Sequence, residues 1–192
     1  METNYPENLY VYYRSNPSVF EERVDTKKRT INYVLMAVCL LLLIFPSIIP
    51  IGNLLVRIVA GIALLYFGFS AFFGGVDFYN KESGGKIADI VVKKFAVPER
   101  GTAPYSSDDQ KILQLFANDD WAGLADEPDE DNRPLQLYIH EDAVGKTFYL
   151  QLMRYFSSSD FRGITEVKEI KEPQYSEVYQ IIKSIKSTYL KK

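Results

Sequence analysis

The chain has one cysteine, one histidine and one tryptophan among 192 residues. A single Cys cannot close an internal disulfide, and with a single His it leaves too few ligands for a Cys/His zinc site. Cationic residues are not in excess either. With 22 Lys+Arg against 25 Asp+Glu the net charge is −3, which argues against a general nucleic-acid binder, since that function leaves a basic footprint. No Asn-x-Ser/Thr acceptor and no internal repeat occur. What is plentiful is apolar, 47% of residues, yet the mean hydropathy is only −0.12. That average is ordinary for a soluble protein and misleads, because the apolar residues are not spread evenly.

They are concentrated between residues 31 and 75. Ile31 to Pro50 is twenty residues without a charge, and Leu54 to Gly75 contains only Arg57. At about 1.5 Å per residue each run is about 30 Å long as a helix, the thickness of a hydrocarbon core. Neither carries the polar stripe of a buried soluble helix. A cleaved signal peptide fits poorly, because the run begins only at residue 31 and is too long for an h-region. The pattern predicts two transmembrane helices, 31–50 and 54–75, broken by Pro46, Pro50, Gly52 and Asn53. Lys27, Lys28 and Arg29 precede the first run, and Lys81, Lys86, Lys93 and Lys94 follow the second. Positive charge on the inner side then places both termini in the cytoplasm of a plasma membrane, taken as a bacterial inner membrane. Arg57, near the start of its run, can snorkel to the interface. Gly61, Gly68 and Gly75 recur every seven residues and share one stripe. Small residues let helices approach closely in lipid, so the stripe suits packing against the first helix or a homo-oligomer contact. The spans lack carboxylates and His, which argues against a transporter acting alone.

The flanking parts have a different composition. Residues 1–30 hold five basic and five acidic groups and are rich in tyrosine (Tyr5, Tyr10, Tyr12, Tyr13), too aromatic for a typical disordered tail. Such a segment docks on the C-terminal domain or lies on the bilayer. Residues 76–105 read as an amphipathic helix and linker, with Ile87, Ile90, Val91, Lys94 and Phe95 at helical spacing. Residues 106–192 begin with a Ser106-Ser107-Asp108-Asp109 cap. Strand patterns follow at 135–141, 146–155 and 163–170, then an amphipathic helix carrying Val178, Ile181, Ile182 and Ile185. The expected fold is therefore an α+β membrane protein. A two-helix transmembrane hairpin is followed by a small cytosolic α+β domain of two helices, a three-stranded antiparallel sheet and a C-terminal helix.

No pattern assembles a catalytic constellation. His140 to Thr147 ends in Gly-Lys-Thr, close to a phosphate-binding loop. However, His140 stands where that loop needs its first Gly, and Glu141 and Asp142 would repel a polyphosphate. A hairpin turn with Gly145 at positive φ explains the same residues. Cys39 lies within the first apolar run, away from any base. Asp119, Asp120, Trp121, Asp126, Glu127, Asp129, Glu130 and Asp131 form an acidic segment around the one Trp. Its spacing excludes an EF-hand, and helix capping with a solvated loop accounts for most of it. As a site it suits docking of a basic protein partner better than a cation. The sequence reading is a two-pass, non-enzymatic membrane protein that anchors an interaction or scaffold domain, without cofactor or metal. Its partners are the lipid bilayer, an unidentified protein and a second copy of itself, with no nucleic acid. The alternative is an accessory subunit of an oligomeric transport or secretion complex.

Overall fold

A computed structural model of the chain describes residues 5–24, 26–50, 52–73, 76–96, 107–129, 134–157 and 160–185. In chain order the elements begin with α1 (Leu9–Ser15), β1 (Phe20–Val24) and α2 (Thr26–Ile44). A 3-10 turn (Pro46–Ile48), α3 (Asn53–Phe73), β2 (Val76–Asn80) and β3 (Ile87–Lys94) follow. The rest are α4 (Ser107–Ala117), α5 (Trp121–Asp126), β4 (Leu135–Asp142), β5 (Thr147–Ser157), β6 (Asp160–Gly163), β7 (Lys168–Ile170) and α6 (Gln174–Ser184). β1 pairs with β2. The main sheet runs β3-β4-β5-β6, all antiparallel, and β7 joins β5 on the edge that β6 also uses. The chain divides into two compact units. One joins the described residues up to Glu21 with those from Phe78 onward; the other is Glu22–Asp77.

The second unit is the α2–α3 pair. Small and apolar residues make its interior: Cys39, Val56, Ala60 and Ala71 are buried. Two polar contacts set its register. Asn32 Nδ2 donates to Ser70 Oγ at 2.9 Å, and Arg29 Nε donates to the Ala71 carbonyl at 3.0 Å, capping the end of α3.

These helices correct the expectation of a two-helix transmembrane hairpin. Among the described residues only α3 is long and apolar enough to cross a membrane, over Asn53–Phe72 at mean hydropathy 2.0. α2 carries Lys27, Lys28 and Arg29 in its first turn and stops at Ile44. Pro46, which has no amide hydrogen, opens the 3-10 turn that follows. The charge-free part of α2, residues 30–44, is about 22 Å long, short of a core of about 30 Å. The sequence run extended to Pro50 only because apolar residues continue through a turn.

The first unit corrects the remainder of the fold. Its sheet has five strands rather than three, and residues 87–94 are strand rather than helix. β3 carries a bulge between Asp89 and Val91. The extra residue breaks the alternation of a strand, so Ile87, Ile90, Val91 and Lys94 acquire a spacing that imitates a helix. The third expected strand, 163–170, is split between the end of β6 and β7. The β4–β5 hairpin and α6 form where the pattern placed them.

The hairpin turn also accounts for Gly-Lys-Thr. Asp142 is fully buried, and its carboxylate accepts from Val144 N (3.1 Å), Gly145 N (2.8 Å) and Ser83 Oγ (2.6 Å). The amide a phosphate loop would offer at Gly145 is therefore already used. Positive φ falls on Lys146 (48°), not on Gly145 as expected. Gly145 is needed for another reason: a Cβ there would overlap the Asp142 carboxylate. Gly145→Ala is therefore expected to cost about 1–3 kcal/mol, read as a lower denaturation midpoint of the full chain in mild detergent.

Candidate functional site

The two faces of the main sheet differ in chemistry. Leu135, Leu137 and Ile139 of β4 and Phe148, Leu150 and Leu152 of β5 face α4, α5 and α6 in one apolar core. Residues of opposite parity, including Gln136, Tyr138, His140, Tyr149 and Gln151, make the other face. α1 lies on that polar, aromatic face. Its Leu9 and Tyr13 are each 1% exposed, so the segment is folded into the unit.

His140 is the centre of this face. Its Nε2 stands 3.1 Å from Asp89 Oδ1, and its Nδ1 is 3.1 Å from Tyr13 Oη. A carboxylate accepts only, so Nε2 carries the hydrogen and Nδ1 takes the Tyr13 hydroxyl hydrogen. Tyr10 Oη donates to the second oxygen of Asp89 at 2.7 Å. Tyr13, Phe20, Phe78 and Tyr149 surround the site with rings at centroid distances of 4.8–5.5 Å. Burial pushes the His140 pKa down to about 4, against the smaller upward pull of Asp89. Burial likewise raises Tyr13 and Tyr149 well above the ordinary phenol range. An Asp–His pair is the orienting half of an acid–base triad, but here the free nitrogen points at a phenol held in its neutral form. The arrangement can hold a segment in place and respond to protons. It presents no activated nucleophile.

The opposite face has its own polar contacts. Glu141 accepts from Tyr175 Oη at 2.8 Å and from Lys183 Nζ at 2.6 Å, fastening α6 to β4. Arg154 and Asp109, 1% and 0% exposed, form an ion pair that ties β5 to α4. Nothing in the sequence pattern marked these pairs. The only hint of the His140 site was the unusual tyrosine density before residue 20.

The structure puts the acidic segment to internal use. Asp119 pairs with Lys168 at 2.5 Å, and that ammonium also caps α4 through the Phe116 and Ala117 carbonyls. The Asp120 side chain caps α5 by accepting from Gly123 N at 2.8 Å. Glu127 pairs with Lys111 at 2.5 Å. Trp121 is buried edge-on against Phe116. Asp126 and Asp129 stay exposed, while Glu130 and Asp131 lie outside the described residues. No group of three or more His, Cys, Asp and Glu side chains able to hold a metal occurs among the described residues. Of the glycine stripe, a Cβ on Gly61 would meet nothing within 4 Å, and one on Gly68 would touch only Met36 of α2 at 3.7 Å. Gly75 lies outside the described residues. Cys39 is buried in the helical unit. No protein-family model, no curated protein sequence and no solved structure matches this chain.

Proposed function

We propose that this chain is a membrane-attached, non-enzymatic interaction protein, whose apolar helical unit holds the sheet unit at a lipid surface. One observation carries the reading. Of the 23 large apolar side chains that remain exposed among the described residues, 19 lie between Val24 and Phe72. Leu54, Leu65, Tyr66 and Phe69 are each more than two-thirds exposed. Soluble monomers rarely leave so large a contiguous apolar surface in water, and lipid is its natural solvent. Lys27, Lys28 and Arg29, in the first turn of α2, favour the cytoplasmic side.

The exposed carboxylates Asp126 and Asp129 suit a basic protein partner. Deleting the segment would be a poor test of them, because Trp121 and Leu124 are core residues. Asp126→Asn with Asp129→Asn removes the charge and leaves the core intact. Membrane attachment is tested by flotation of the full chain with vesicles. The chain is expected to float and to resist high salt. A chain that remains monomeric in buffer with neither vesicles nor detergent would refute the reading.

A further inference from the structure

We infer that α1 is a proton-operated latch: it closes over the sheet through a set of hydrogen bonds, one of which requires a neutral His140, and protonation of that ring releases it. Three tyrosines of this seven-residue helix reach three different strands. Tyr10 donates to Asp89 of β3, Tyr13 to His140 of β4, and Tyr12 to Glu169 of β7 at 2.5 Å. Two contacts just before the helix complete the closure. Gln151 Nε2 donates to the Pro6 carbonyl at 2.8 Å, and Gly163 N donates to the Glu7 carbonyl at 2.7 Å. A helix this short does not persist alone in water, so whether it forms depends on these contacts.

The surroundings of His140 decide the sign. From α1 it faces Tyr10 and Tyr13, from β3 Asp89, and beyond Tyr13 stands Tyr149 of β5. Phe20 of β1 and Phe78 of β2 add rings to this cluster but no charge. Among the described residues only Asp89 favours an imidazolium, and its side chain is 56% exposed while the ring is 2% exposed. Water screens the carboxylate, so desolvation of the ring wins. Protonation also costs a hydrogen bond. An Nδ1–H would donate to Tyr13 Oη, and the hydroxyl's own hydrogen would lose the acceptor it has in the closed state.

In the closed state the ring titrates at about 4, and once released at the ordinary value of about 6.5. The released state therefore binds the extra proton between those values. Closure is complete above about pH 6.5 and weakens as pH falls, by on the order of 30-fold at pH 5 and 300-fold across the window.

His140 is the one histidine of the chain, so its ring signals in a nuclear magnetic resonance titration are unambiguous. The full chain in mild detergent is titrated from about pH 7.5 to about pH 3 so as to pass the closed-state value, with amide exchange of residues 8–16 followed in parallel. The expected result is a His140 midpoint well below 6.5, with protection of α1 lost over the same range. His140→Gln can keep both hydrogen bonds without titrating and should hold α1 closed down to pH 5. If that variant does not fold, Tyr13→Phe removes only the hydroxyl and should raise both the His140 midpoint and the pH of release. A wild-type midpoint near 6.5 with α1 still protected would overturn the latch. So would a folded His140→Gln chain that opens with the wild-type pH profile, since Asp89 and Glu169 would then be the trigger. An unchanged His140 midpoint in Tyr13→Phe would overturn it as well.

Discussion

Arg154→Met is expected to destabilise the sheet unit by about 3–5 kcal/mol, the cost of leaving one charge of a buried pair without its partner. Arg154 and Asp109 are 1% and 0% exposed, so water cannot replace the lost guanidinium. A domain of this size has only about 5–15 kcal/mol of stability, and one such change removes a large part of it. The double variant Asp109→Leu with Arg154→Met removes both charges and restores much of the loss, because the pair repays desolvation rather than adding net stability. Denaturant melts of the wild type, both single variants and the double variant form the cycle that measures this. If both single variants cost less than about 1 kcal/mol, the pair is solvated and does not belong to the buried core of the unit.

How far the sequence reported the fold follows from how local each signal is. The β4–β5 hairpin and α6 were legible because their patterns are complete within a dozen residues and no bulge interrupts them. β3 was misread because a bulge at its centre is set by pairing with β4, about fifty residues away. The α2 run was misread for the opposite reason. Hydropathy reports apolarity but not where a helix ends, and Pro46 moved that end to Ile44. The tyrosine density before residue 20 hinted at docking but not at the partner, because Tyr13 lies 127 positions from His140 and neither residue belongs to a recurring motif. The acidic segment was legible as a cluster, but its roles depend on Lys168 and Lys111, brought in by folding. Residue spacing could suggest a cap at Asp120 and could not suggest the pairing of Asp119 with Lys168.

The helical unit gives the second large expectation. Leu65 is 75% exposed and lies near the middle of the Asn53–Phe72 span. If water is its solvent, Leu65→Asp is an ordinary surface change, within about 0.5 kcal/mol of neutral. If lipid is its solvent, a carboxylate at mid-span costs about 3 kcal/mol, roughly a 100-fold loss of partitioning. Adding Ile62→Asp, 65% exposed in the wild type, should take the loss beyond roughly 1,000-fold, since each charge must be carried into hydrocarbon. Vesicle flotation of the full-length variants measures this directly. The sheet unit serves as the internal control, because its core residues and the Arg154–Asp109 pair lie outside 22–77. The variants should therefore keep the wild-type near-ultraviolet signal of Trp121 while losing the membrane. Variants that float as well as the wild type would show that α3 covers its exposed face with protein, and the apolar surface would then belong to an assembly of chains.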